Sequence, residues 1–87
     1  MDVAVSAPGD PNLPYSRAFR NARKRSGLLQ REFAERLTER VGRLVGKHAI
    51  HRWESGKANV PAFILDAAAG VAEVSLEQLL FEAVGDA

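Results

Sequence analysis

The chain has 87 residues, 46% of them hydrophobic and 26% charged, with no cysteine. That length allows one domain with a modest core, and the missing thiols exclude a disulfide framework and a thiolate metal site. The formal charge of +1 hides a segregation: all 12 Lys and Arg residues lie between Arg17 and Lys57, where the only carboxylates are Glu32, Glu35, Glu39 and Glu54. Asp66, Glu73, Glu77, Glu82 and Asp86 follow with no cation among them. A basic first part points to a polyanion partner, against the alternative of an ordinary solvated surface. No apolar run reaches membrane-spanning length, so no membrane partner is expected. The start Met1-Asp2-Val3-Ala4-Val5 lacks a basic opening and an apolar core, so no signal peptide is expected. Absent cysteines and absent targeting fit a cytoplasmic location.

Residues 1–14 carry Pro8, Pro11 and Pro14 among Gly, Asp and Asn, with no apolar period. They are expected to form a flexible arm. The arm has no Arg or Lys, so it is not assigned to a minor groove. Residues 15–84 are expected to form the domain, and residues 85–87 a short tail.

The first predicted helix repeats Tyr15, Phe19 and Ala22 on one face, carries Arg17, Arg20, Lys24 and Arg25 on the other, and closes at Gly27. The second begins near Leu29 or Gln30 and buries Phe33, Ala34, Leu37 and Val41. Glycines 42 and 46 then bracket a turn. The third runs from Lys47 to Glu54 or Ser55. At helical spacing Ala49, Ile50 and Trp53 share one side, and Lys47, His48, His51, Arg52 and Ser55 the other. A short helix with one apolar side and one side of donors and cations suits the major groove of DNA. A loop with Asn59 leads to Pro61 in the first turn of the fourth helix, which buries Phe63, Ile64, Ala67, Ala68 and Val71. Ser75 and Gln78 have the capping-box spacing and open a fifth. Its stripe is Leu76, Leu79, Leu80 and Val84, with Phe81 beside it. No stretch alternates with period two, so the expected fold is all-α, a five-helix bundle around one core.

Two segments have specific counterparts in a known family. Gln30-Arg31-Glu32-Phe33-Ala34-Glu35-Arg36-Leu37 is similar to a Q-E-E-L-A-E-x-L helix, and Ala49-Ile50-His51-Arg52-Trp53-Glu54-Ser55-Gly56-Lys57 to T-I-S-R-W-E-x-G-K. Val74-Ser75-Leu76-Glu77-Gln78-Leu79-Leu80 is a weaker match to V-S-L-D-E-L-L. From Tyr15 to Phe81 the chain resembles the helix-turn-helix domain of Cro and lambda-type phage repressors, the XRE-like family. The resemblance implies a lambda-repressor-like fold and a bacterial or phage transcriptional regulator, expected to be a repressor. It places Lys47, His48, Ala49 and Arg52 at base edges. Gln30, Arg31, His51, Ser55, Lys57 and Asn59 would meet phosphates, and Arg23 and Glu54 would form a buried ion pair. It also implies a homodimer through the last helix. Two departures stand out. Leu29 replaces a small polar cap, and Glu54 follows Gln30 by 24 positions, about one and a half helical turns more than the family spacing. The extra residues, around 40–46, lengthen the connection between helices two and three, and Arg40 and Arg43 within it are candidate phosphate contacts.

Physical chemistry refines these roles. Arg52 can fork onto guanine O6 and N7; the alternative is a surface arginine paired with a glutamate. Lys47, a point charge at a helix start, suits a phosphate better than a base. Histidine changes charge near neutrality, so His48 and His51 at phosphates would make affinity rise as pH falls. Two histidines without a third ligand do not make a zinc site, and no metal or cofactor is expected. Trp53 belongs with Ile50 in the core rather than on a base. The 42–48 stretch is one residue short of a phosphate loop, and His48 stands where Ser or Thr would bind magnesium. No catalytic constellation is visible, so no enzyme activity is expected. The competing reading is a protein-interaction adaptor or antitoxin-like protein, with a protein partner on the acidic, apolar last helix.

Overall fold

The computed structural model describes residues 13–85, and there the chain is all helical. Its five helices are α1 (Pro14–Ser26), α2 (Gln30–Val41), α3 (Lys47–Glu54), α4 (Ala62–Ala72) and α5 (Leu76–Gly85). The flexible arm expected over residues 1–14 lies outside the described residues except at its end, where Pro14 is the first residue of α1. Proline fits there because its missing N–H would have no helical partner in the first turn. The tail expected over residues 85–87 also lies outside them except for Gly85, which is the last residue of α5.

The helices pack as one bundle with α1 and α4 at its centre: α1 touches α3, α4 and α5, and α4 touches α1, α2 and α5. The largest fully buried side chains are Phe19, Phe33, Leu37, Ile50, Ile64 and Leu79, with Ser16 among them. Phe19 joins three helices, meeting Phe33 edge-on at 5.4 Å and Trp53 at 5.5 Å between ring centroids. Such pairs add to the area they bury because a ring edge is positive and its face negative. α4 buries Ala67, Ala68 and Ala69 with Ile64, Leu65 and Val71. Small residues on several sides let it sit between neighbours.

Four apolar positions expected on the core side are on the surface. Tyr15 and Phe63 are 54% and 52% exposed, and on α5 only Leu79 and Ala83 are buried. Leu76 and Leu80 pack at the margin, while Phe81 and Val84 are 79% and 61% exposed. In each case the helix period is right but the apolar face is wider than the neighbouring helix that covers it. Pro61 also stands one residue earlier than expected: it precedes α4, which starts at Ala62. Ser75 Oγ accepts the Gln78 N–H at 3.0 Å, while the Gln78 side chain turns forward to Glu82. At the other uncertain start, Leu29 offers no cap, but its N–H donates to Glu32 Oε1 at 2.9 Å, satisfying the main chain from the other direction.

The longer connection combines a longer helix and a loop. α2 runs to Val41, Gly42 closes it at φ 77°, and residues 42–46 cross to α3. The positive φ is one that a side chain resists and glycine accepts. Thr38 ties the loop down. Its Oγ1 accepts the Val45 N–H at 2.9 Å and donates to the Val45 carbonyl at 3.3 Å, which leaves the Val45 side chain buried.

Candidate nucleic-acid interface

α3 begins after Gly46, whose carbonyl accepts the N–H groups of Ala49 and Ile50 at 3.1 and 3.2 Å. Turning by about 100° per residue, it buries Ile50 and Glu54, half-buries Ala49 and Trp53, and exposes Lys47, His48, His51 and Arg52. It ends in a tight exit: Gly56 takes φ 80°, and the N–H groups of Lys57 and Ala58 both donate to the Arg52 carbonyl. Lys57 and Asn59 are left exposed just beyond it.

Glu54 fixes the roll of α3 about its axis. It is 6% exposed. Its Oε2 accepts Arg23 Nε at 2.6 Å, and its Oε1 accepts Arg23 Nη2 at 3.1 Å and Gln30 Nε2 at 3.2 Å. Its carbonyl accepts Arg20 Nη1 at 3.1 Å, and the remaining Arg23 nitrogen donates to the Leu28 carbonyl. One carboxylate is therefore held by α1 and α2 together. A forked Arg–carboxylate contact sets angle as well as distance.

The exposed side of α3 is edged by two grooves. Along one edge Lys47 shares a groove with Arg23, Leu29, Gln30 and Arg31 at the start of α2. Along the other, Ala49 and Trp53 share a groove with Arg43, Leu44, Pro61 and Phe63. Arg43 is held there, its guanidinium carbon 5.8 Å from the centre of the Phe63 ring, a cation–π contact. A row of donors is thus flanked by one guanidinium from the α2 start and one from the loop.

The sequence overcounts the cations available to a polyanion. Arg17 Nη1 donates to the Ala83 carbonyl at 2.7 Å and so caps the end of α5. Arg20 and Arg23 serve Glu54, and Arg25 pairs with Glu82 at 3.2 Å. Arg40 lays its guanidinium against Gly70 of α4, where a Cβ would collide with it. It therefore braces α2 on α4 instead of extending with Arg43. The cations left around α3 are Arg31, Arg43, Lys47, Arg52 and Lys57, all exposed.

Two expected phosphate contacts have other bonds as well. Gln30 gives one amide hydrogen to Glu54 and keeps a second. Ser55 donates its hydroxyl to the Arg52 carbonyl at 3.3 Å. Among the described residues no three His, Asp or Glu side chains gather as a metal site, and no described helix is long and apolar enough to cross a membrane.

Comparison of the chain with family models, with curated proteins and with solved structures finds no match. A helix-turn-helix reading therefore stands on the chain's own residues and their geometry. Sequence reasoning missed Thr38 as the clamp of the loop and Phe63 as the seat of Arg43. Both contacts join residues on different elements, and no local spacing announces them.

Proposed function

We propose that this protein binds double-stranded DNA sequence-specifically through a helix-turn-helix formed by α2 and α3, and that it acts in the cytoplasm as a transcriptional repressor. The observation that carries this reading is the exposed side of α3. Lys47, His48, His51 and Arg52 stand on a helix whose roll is locked by Glu54, between Arg31 on one edge and Arg43 on the other. A duplex read by such a helix presents base edges to its face and a phosphate strand to each flank. Arg52 and His48 address bases, with Lys47 at the helix start and Ala49 at the edge of the face. Gln30, Arg31, Arg43, His51, Ser55, Lys57 and Asn59 address the strands.

Selection on random duplexes, followed by a salt titration of the winning site, tests the proposal. The expected result is one enriched motif whose affinity falls with salt by about 0.9 in log–log slope for each phosphate neutralised. No shift of any duplex at low ionic strength contradicts it.

The same reading includes a homodimer through α5, where Phe81 and Val84 project from the bundle beyond any neighbour that covers them. Apolar groups of that size are a natural self-complementary contact. Two copies would set their α3 helices about 34 Å apart, one helical turn of DNA. Light scattering is expected to give twice the chain mass for the native protein and the single mass for Phe81→Glu. A single mass for the native chain, free and on DNA, favours instead an adaptor or antitoxin-like protein that offers α5 to another partner.

A further inference from the structure

We propose that Leu44 determines specificity by packing on the 5-methyl group of a thymine next to the α3 N-terminus, an inference that rests on the DNA-binding reading above. Leu44 is 88% exposed, the most exposed large apolar side chain among the described residues. A single exposed leucine is ordinary on a loose loop, but this loop is held on both sides of it. Gly42 closes α2, donating its N–H to the Thr38 carbonyl at 3.0 Å. Arg43 is seated on Phe63, and Val45 is buried with both backbone polar groups on Thr38. Leu44 projects between these anchors at small cost in entropy when it is covered.

Its position selects the occupant. Leu44 forms the ridge between two grooves, one along α2 and one along α3 and α4. The α2 groove carries Glu35 and Glu39 beside Arg31 and Lys47, so its charges cancel. The other is rimmed by the Arg43 cation with no carboxylate in its lining. An anionic partner therefore approaches Leu44 from the α3 side. In a helix-turn-helix complex the N-terminal residues of the reading helix meet base edges, and Leu44 lies three positions before that terminus. The apolar group that the major groove offers there is the thymine methyl, which neither guanine, adenine nor unmodified cytosine presents.

The test uses the full chain and the duplex recovered by selection. Each thymine is replaced singly by deoxyuridine, which removes the methyl group and leaves the pairing edge unchanged. One replacement is expected to weaken native binding about three- to fivefold, the worth of a methyl-sized apolar contact. Leu44→Ala should lose the same factor on the thymine duplex and nothing more on the deoxyuridine one, with an unchanged melting temperature. Four results overturn the inference while leaving DNA binding intact. These are equal native affinity for every deoxyuridine duplex, full native affinity in Leu44→Ala, losses that multiply at every position, and a selected site without thymine. A chain that binds no duplex at all overturns the DNA-binding reading, and the role of Leu44 with it.

Discussion

Glu54→Ala is expected to cost about 3–5 kcal/mol of stability, because removing one partner of a buried ion pair strands the other. The carboxylate is 6% exposed and accepts three hydrogen bonds, from Arg23 Nε, Arg23 Nη2 and Gln30 Nε2. Without it the Arg23 guanidinium faces a hollow between α1, α2 and α3, and the Gln30 amide loses its acceptor. For a domain of this size each kcal/mol moves the midpoint by about 4–8 °C, so a thermal melt should fall by more than about 12 °C. Arg23→Ala should come close to the same loss. The double variant should lose less than the two single losses added, since both remove one interaction. A shift of the Glu54→Ala midpoint within experimental scatter would show that the pair contributes nothing. DNA binding should weaken in the same variant even at temperatures where it is folded, because Glu54 sets which side of α3 faces outward.

Arg52→Ala is expected to leave the fold intact and to flatten sequence preference at one base pair. Arg52 is exposed, and its guanidinium has no partner among the described residues, while its carbonyl is pinned by the exit turn. The side chain is therefore presented from a fixed Cα. A bidentate contact to guanine is worth about 1–3 kcal/mol of discrimination, which is about 5- to 150-fold between the correct and the wrong base. Selection with the variant should recover a motif degenerate at that position. Lys57→Ala makes the contrast. It should weaken every duplex alike and lower the salt slope by about 0.9, the share of one phosphate. If the two variants change preference and salt dependence in the same way, the division between base and phosphate contacts on α3 fails.

Element count, element type and the face that α3 presents were legible in the chain before any coordinates. Apolar residues at i, i+3 and i+4 suffice to mark five helices. Gly27, Gly42 and Gly56 fall where positive φ is required. Lys47, His48, His51 and Arg52 could be assigned to the wet side by angle alone, because the helix is rigid and its period is known. Local chemistry also marked the Ser75 cap. None of this needs knowledge of what lies across the core.

Which apolar groups would be covered was not legible in the same way. Tyr15, Phe63, Phe81 and Val84 have the period of core residues, yet each is more than half exposed. A helix carries its pattern alone, whereas burial depends on where its neighbours end. The cations were misjudged for the same reason. Arg17, Arg20, Arg25 and Arg40 look like a basic surface in one dimension, but each finds an acceptor, a carboxylate or a glycine far along the chain. The sequence by itself determined an all-α chain and a short helix with one charged side, since both follow from bonds and periods within a few residues. Only the tertiary structure decided which charges remain free beside that helix and how the residues before it are held, because both depend on contacts between segments that the chain brings together from a distance.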